Sequence, residues 1–326
     1  GIALNALIGT AILVQRYPGQ RAAWFAPLVV LGMSWFAASA LEPRWQKAFV
    51  LGIWRDSVAP GSVADYREYV NRVDLRYHRD GAGSTVAVIG NPLAGGREQL
   101  SLRVNGKTDA TSVGDMSTQV LMGHLPLLLK PTSSDALVVG LGSGVTVGAV
   151  LRHPGIAHVD VVEISPEVVT VARDLFGPFN NNALADARVR LSVEDAKSFL
   201  AVTPRQYDVI VTEPSNPWMA GVAAVFSHEY YASARDRLKP GGLVAQWLQV
   251  YETNDRIVDT VVNTFSSVFP NVGIWQVGAG DLVLIGSMMP RVTDLEALTR
   301  RFDDPLVRAD LARVGIQSLP PLLMQE

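Results

Sequence analysis

Residues 136–164 read ALVVGLGSGVTVGAVLRHPGIAHVDVVEI, and this stretch decides the fold. Residues 136–139 are an apolar, β-branched run of the kind that forms a buried strand. The run breaks into Gly140-Leu141-Gly142-Ser143-Gly144, a helical segment follows, and a second apolar strand ends on Glu163. Glu163 lies about 20 residues downstream, where nucleotide-binding βαβ units carry a ribose-binding acid. Gly140, Gly142 and Gly144 permit a tight turn and a close ligand approach, and a carboxylate at a strand's end can accept both ribose hydroxyls. Strand, loop, helix, strand and acid in this order point to a nucleoside-cofactor site.

Working outward, the pattern predicts strands at 136–140, 158–163, 187–192, 207–212 and 242–249. Helices fall between them, for example at 166–175 and 228–238, the latter closed by Pro240-Gly241-Gly242. Two last strands near 271–277 and 281–286, separated by Gly278-Ala279-Gly280, should pair antiparallel. The sum is an α/β chain with a doubly wound, mostly parallel sheet and a terminal hairpin, similar in architecture to class I S-adenosylmethionine-dependent transferases. On the N-terminal side, residues 66–111 read as short strands (DLRYHRD, STVAVIG, QLSLRVNG) of a small antiparallel β-domain. Residues 115–129 read as a helix ended by Pro131, and 293–314 as an amphipathic helix. The expected organisation is a membrane-proximal segment at 1–47, the β-domain at 48–112, a Rossmann-like catalytic domain at 113–290 and a helical tail at 291–326.

Composition narrows the function. The chain has 326 residues and a formal charge of −3, so no basic field argues for nucleic acid. It has no cysteine, which excludes disulfides and thiolate chemistry, and its five histidines lack metal-ligand spacing, so no metal is expected. Mean hydropathy is +0.19. Residues 22–41 run without a charge, enough to cross a hydrocarbon core of roughly 30 Å, with Trp24 and Trp45 near the ends. The expectation is an N-terminal transmembrane segment and a membrane location, with the catalytic domain in the cytoplasm.

In a sheet of this type ligands bind outside the carboxyl ends of the strands, so chemistry is sought there. The third strand runs into Val193-Glu194-Asp195-Ala196, where Asp195 either accepts a bond from an adenine amino group or caps the next helix. The fourth, YDVIVTEPSNPW, delivers Glu213 followed by a proline-stiffened loop, Pro214 to Trp218. An acid so placed is where a second substrate would meet the cofactor.

The runs RVNGKTDATSVGDMSTQVLMGHLPLLLKP, ALVVGLGSG, VDVVEISPEVV, VEDAKSFL, YDVIVTEPSNP and FSHEYYASARDRLKPGGLVAQW, in that order, resemble the polyamine aminopropyltransferases, or spermidine synthases. More narrowly they resemble the branch fused behind a transmembrane bundle. The resemblance implies that Glu163 binds ribose and Asp195 adenine, that Gln119 and His124 are the glutamine and histidine of the helix before the first Rossmann strand, and that Gln246 is the glutamine after the fifth. It also exposes departures. Ser143 stands where the family has an aspartate thought to hold the donor's aminopropyl ammonium. Glu213 replaces the aspartate that orients or deprotonates the attacking amine, and Asn216 replaces a second aspartate of that loop. Thr118 stands for a tyrosine of the amine channel and Asp109 for a glutamine of the β-domain.

The family's activity would be transfer of an aminopropyl group from decarboxylated S-adenosylmethionine to a polyamine-like amine, releasing methylthioadenosine, with Glu213 as base and a homodimer as assembly. Ser143 opens an alternative. Without a carboxylate there, the hold on a decarboxylated donor weakens and a repulsion against intact S-adenosylmethionine disappears. Ser215-Asn216-Pro217-Trp218 is similar to the (D/N)PP(Y/F) motif of amino-methyltransferases, in which Asn216 would orient an amine and Trp218 stack on it. Methyl transfer from intact S-adenosylmethionine is therefore the second reading, and a nucleoside-binding sensor the third.

Overall fold

The buried run at residues 136–139 is the centre of a seven-stranded sheet. The computed structural model describes residues 8–9, 12, 15–17, 29–36, 44–52, 60–217, 222–278, 280–290 and 294–324. They fall into two units, residues 1–73 and 74–326. The first holds helices α1 (Arg44–Val50) and α2 (Val63–Arg72). Ser62 caps α2 by accepting from the Asp65 N–H, and Lys47 Nζ donates to the Val73 carbonyl at 2.6 Å. The start of the predicted strand region is thus helical.

The transmembrane segment expected from residues 22–41, and the membrane location drawn from it, are corrected. Among the described residues no helix is long and apolar enough to cross a membrane. Of that stretch residues 29–36 are described, as helix. The rest of the expected span lies outside the described residues.

The second unit opens with an antiparallel sheet of β1 (Asp74–Asp80), β2 (Thr85–Pro92), β3 (Glu98–Val104) and β4 (Lys107–Thr111), paired in chain order. Asn105 and Gly106 both take positive φ between β3 and β4, the conformation a two-residue hairpin requires. Helix α3 (Met116–Leu129) follows and is buried along most of its length, as a helix apolar on all sides must be.

The large sheet comprises β5 (Asp135–Val139), β6 (His158–Glu163), β7 (Val189–Val193), β8 (Tyr207–Thr212), β9 (Leu238–Gln249), β10 (Asn271–Val277) and β11 (Asp281–Ser287), in the spatial order β10-β11-β9-β8-β5-β6-β7. β5 through β9 are parallel, and β11 runs antiparallel to both β9 and β10. Continuous apolar burial of β5 and β8 follows from cover on both faces. Helices α4 (Val145–Val150), α5 (Pro166–Asp174), α6 (Ala196–Val202), α7 (His228–Asp236) and α8 (Asp255–Val268) connect and cover the strands. One core packs α3, α4 and α5 on one face; another packs Tyr230, Tyr231, Phe265 and Phe269 on the other.

Two boundaries differ from expectation for local reasons. Pro240-Gly241-Gly242 does not precede β9 but lies inside it, because Leu238 already pairs with Tyr207 and a register shift absorbs the irregularity. The tail is not one helix. Asp304 caps a new start at Pro305, giving α9 (Leu295–Phe302) and α10 (Pro305–Ala312), followed by α11 (Leu319–Leu323).

Candidate active site

The chain leaves β5 toward β6 on one side, while β8 and β9 lie on the other. The carboxyl ends of β5 and β8 therefore flank a topological switch point, where open α/β sheets bind ligands. Two loops meet there through their backbones. Gly140 takes φ 87°, and a Cβ on it would stand 2.5 Å from the Glu213 carbonyl oxygen. Only glycine fits so close an approach in that conformation.

The glycine loop is bonded to its acid. The Leu141 N–H donates to Glu163 Oε2 and the Ser165 N–H to Oε1, both at 2.9 Å. Burial raises the Glu163 pKa, and those backbone donors oppose the shift. A carboxylate offers about four acceptor sites, so each oxygen keeps one for a ligand hydroxyl. Exposed Ile164 follows Glu163, and Val193, its exposed neighbour on β7, is paired with Glu163 in the ladder. The two leave apolar surface beside Asp195. Asp195 itself caps α6, accepting from the Ser198 N–H at 2.9 Å and hydroxyl at 3.0 Å on one oxygen.

Ser143 and Gln119 act as fasteners. The Ser143 hydroxyl donates to Gln119 Oε1, and Gln119 Nε2 donates to the Thr111 carbonyl at 3.0 Å and to Asp115 Oδ1 at 2.9 Å. Their donors are spent joining the glycine loop, α3 and the end of β4. Asp115 also accepts from the Thr111 N–H and hydroxyl, and burial with nearby Asp281 raises its pKa.

Glu213 faces this assembly. The Thr146 hydroxyl oxygen lies 2.6 Å from Glu213 Oε2 and 2.9 Å from the Gln119 backbone carbonyl. One hydroxyl carries one proton, and the carbonyl can only accept. Both contacts are satisfied when Thr146 donates to the carbonyl and a protonated Glu213 donates to Thr146. Burial, with Asp115 and Asp281 near, pushes the Glu213 pKa up to about 8, consistent with that arrangement.

Asp109 is pinned from two sides. The Ser215 hydroxyl and the buried Lys107 Nζ both donate to its Oδ1 at 2.8 Å, tying β4 to the loop after β8. Asp281, at the start of β11, accepts from the Thr118 hydroxyl at 2.7 Å and from Trp247 Nε1 at 3.0 Å. Tyr251 stands among these acids, and burial together with Asp281, Asp115 and Asp109 raises its pKa. Asn216 is fully buried with neither amide atom partnered, and Gln246 donates to the Trp247 carbonyl while its Oε1 is unpartnered.

The structure thus gathers Gly140, Gly142, Ser143, Gly144, Glu163, Gln119, Asp109, Thr118 and Glu213 about one crevice. Trp218 lies outside the described residues. The placement of His124 is a correction. It points into the interior, one ring nitrogen 2.9 Å from His153 Nε2 and the other 3.0 Å from Asp310 Oδ2 on α10, so both are taken. Burial lowers the pKa of both histidines. Sequence reasoning missed Asp115, Thr146, Lys107, Tyr251 and Asp281. Asp115 was visible in the run GDMSTQ, but Asp281 reaches the site only through the reversal of β11, which no local spacing announces. Among the described residues no group of three potential ligands could hold a metal ion.

Fold and site together define a Rossmann-like α/β protein with carboxylates gathered at the carboxyl ends of its parallel strands. The spermine/spermidine synthase domain matches residues 116–278, half of the chain, and the chain belongs to that family. The chain is 32% identical over 155 residues to a polyamine aminopropyltransferase of Alkaliphilus metalliredigens, covering 47% of this chain and 54% of that protein. It is 28% identical over 170 residues to polyamine aminopropyltransferase 2 of Hyperthermus butylicus, covering 52% and 56%. It therefore spans about half the length of these curated relatives. The fold is similar to that of a crystal structure of spermidine synthase in complex with the transition-state analogue AdoDATO, with a TM-score of 0.64 and 19% identity over 77% of this chain and 87% of that one.

Proposed function

We propose that the crevice transfers an aminopropyl group from decarboxylated S-adenosylmethionine to an amine, releasing methylthioadenosine. The observation that carries this reading is the set Asp115, Glu213 and Asp281, three carboxylates near enough that burial together with the neighbouring acids raises the pKa of Glu213 and of Asp115, and without an ion pair among the described residues. Clustered acids desolvated in this way favour a cationic ligand. Both substrates are cations, a sulfonium carrying an ammonium and a polyamine-like acceptor.

Glu163 would hold the ribose, and Asp195 with Ile164 and Val193 the adenine. The neutral acceptor nitrogen attacks the carbon beside the sulfonium. The carbon–sulfur bond breaks, its electron pair stays on sulfur, and Glu213, ionised once the cationic substrates lie beside it, takes the proton the nitrogen sheds. Asn216 would orient the acceptor, and Gln246 would meet it through its unpartnered oxygen. Pairing of two copies belongs to the same proposal and is read by light scattering.

One observation favours the methyl alternative. The Ser143 hydroxyl is turned into Gln119 and offers no charge to a donor's ammonium. Incubating the protein with each donor and 1,4-diaminobutane, then identifying the nucleoside released, separates the readings. Methylthioadenosine from the decarboxylated donor alone is the expected result. S-adenosylhomocysteine from the intact donor would replace the proposal with methyl transfer, and turnover of neither would leave a nucleoside-binding sensor.

A further inference from the structure

Asp281 is an acid to which the family resemblance gives no role. β11 runs antiparallel to β9, so its first residue stands at the end of the sheet where the parallel strands finish, directly opposite Gln249. Directly opposed residues of an antiparallel pair share a face, as does Trp247 two residues back along β9. The Asp281 carboxylate is fixed by two neutral donors, the Thr118 hydroxyl and the Trp247 indole N–H. Those donors orient it without cancelling its charge, and they leave roughly half of its acceptor sites open. Its cross-strand neighbour gives a second, independent observation. Gln249 is only 2% exposed, yet both its amide oxygen and its amide nitrogen lack a partner. A buried carboxamide with nothing to bond is costly unless a ligand supplies partners. Asp109 differs: it has Lys107 beside it and is neutralised within the protein.

We infer that Asp281, with Gln249 beside it, selects the acceptor by binding the ammonium remote from the nitrogen that reacts at Glu213. The inference rests on the aminopropyl-transfer reading and deepens it by naming the residue that makes this chain prefer a diamine over a monoamine. A dication places one nitrogen against Glu213 and the other against Asp281, and the Gln249 oxygen accepts a further ammonium proton. Thr118 is the positioning residue of the pair, because its hydroxyl aims the carboxylate. Asp281 thus supplies negative charge on β11, whereas Ser143 of the glycine loop and Asn216 of the strand-four loop carry none.

The test compares 1,4-diaminobutane with butylamine, which has the same chain and lacks the distal charge. In wild type and Asp281→Asn, KM and kcat are measured for both, and equilibrium binding of both is measured by calorimetry with methylthioadenosine present. Asparagine is isosteric and keeps an oxygen for Trp247, so the fold is retained. The expected result is a diamine KM raised about 10- to 100-fold with kcat nearly unchanged, a butylamine KM moved less than about 3-fold, and the same selectivity in the binding data. Thr118→Val should lose diamine selectivity in the same direction by a smaller factor, and Thr118→Ser should restore it. Equal losses for the two amines, or no loss for either, would overturn the inference. Should no donor be turned over, the aminopropyl reading fails. The calorimetric comparison then still decides whether Asp281 discriminates diamine from monoamine.

Discussion

The two walls of the crevice are built from the same kinds of residue and end in opposite states. On the wall proposed to hold the nucleoside, Glu163 is pinned by two backbone N–H groups, and Ser143 and Gln119 bond each other and the strand behind them. On the wall proposed to hold the acceptor, Glu213, Asp115 and Asp281 lie near one another, and the amides of Asn216 and Gln249 have no partner. A preorganised wall binds without rearrangement, whereas a wall of mutually repelling acids gains most when a cation arrives. The contrast teaches that one side of the site is fixed through backbone and neutral donors, while the other leaves its acids and amides to be satisfied by whatever binds.

That contrast can be broken at several strengths. The largest effect is expected from Glu213→Gln, which removes the base and leaves the shape. Turnover should fall by about 10²- to 10⁴-fold while methylthioadenosine affinity, followed by calorimetry, stays within a factor of about two. Equal loss of nucleoside binding would mean that the walls are not separable. Next is Glu163→Gln, which should weaken nucleoside binding by roughly 10- to 100-fold, since charge-assisted bonds to hydroxyls become neutral ones and an amide N–H meets a backbone N–H. Protein–diamine affinity measured without nucleoside should not move, and a parallel fall would merge the two walls into one network.

The smallest effect concerns the empty protein and pH. Glu213 has a folded-state pKa of about 8, above its ordinary value, so its contribution to stability is fully present in acid and is lost as pH rises through 8. Wild type should therefore lose more of its thermal midpoint between pH 6 and pH 9 than Glu213→Gln does. A difference of a few degrees in differential scanning calorimetry is the expected scale. Parallel curves for the two proteins would mean that Glu213 is already ionised at neutral pH.

Much of the large sheet was legible because its strands are continuous apolar runs ended by glycine or by an acid. The central helix was legible from its apolar length. The glycine loop and Glu163 were legible together because their geometry is local, one βαβ unit long. What escaped notice depends on distant pairing. Asp281 meets Thr118 across 163 positions, and Asp109 meets Ser215 across 106, so no window of sequence contains both partners. His124 misled for a related reason. It shares α3 with Gln119, but it lies on another side of that helix, and its partners His153 and Asp310 come from the far interior. The apolar N-terminal stretch carried the expectation of a membrane span, and among the described residues no helix is long and apolar enough to be one.

The close approach of Gly140 to the Glu213 carbonyl has a consequence for how the site can vary. The distance between the donor loop and the residue that follows β8 is set by main chain against main chain, with no side chain in between. Lengthening the acid at position 213 by a methylene therefore moves only its own carboxyl group and leaves the anchor where it was. Chemistry at this point can drift by substitution while the alignment beneath it is inherited, so the crevice tolerates experiments in its acids that it would not tolerate in its glycines.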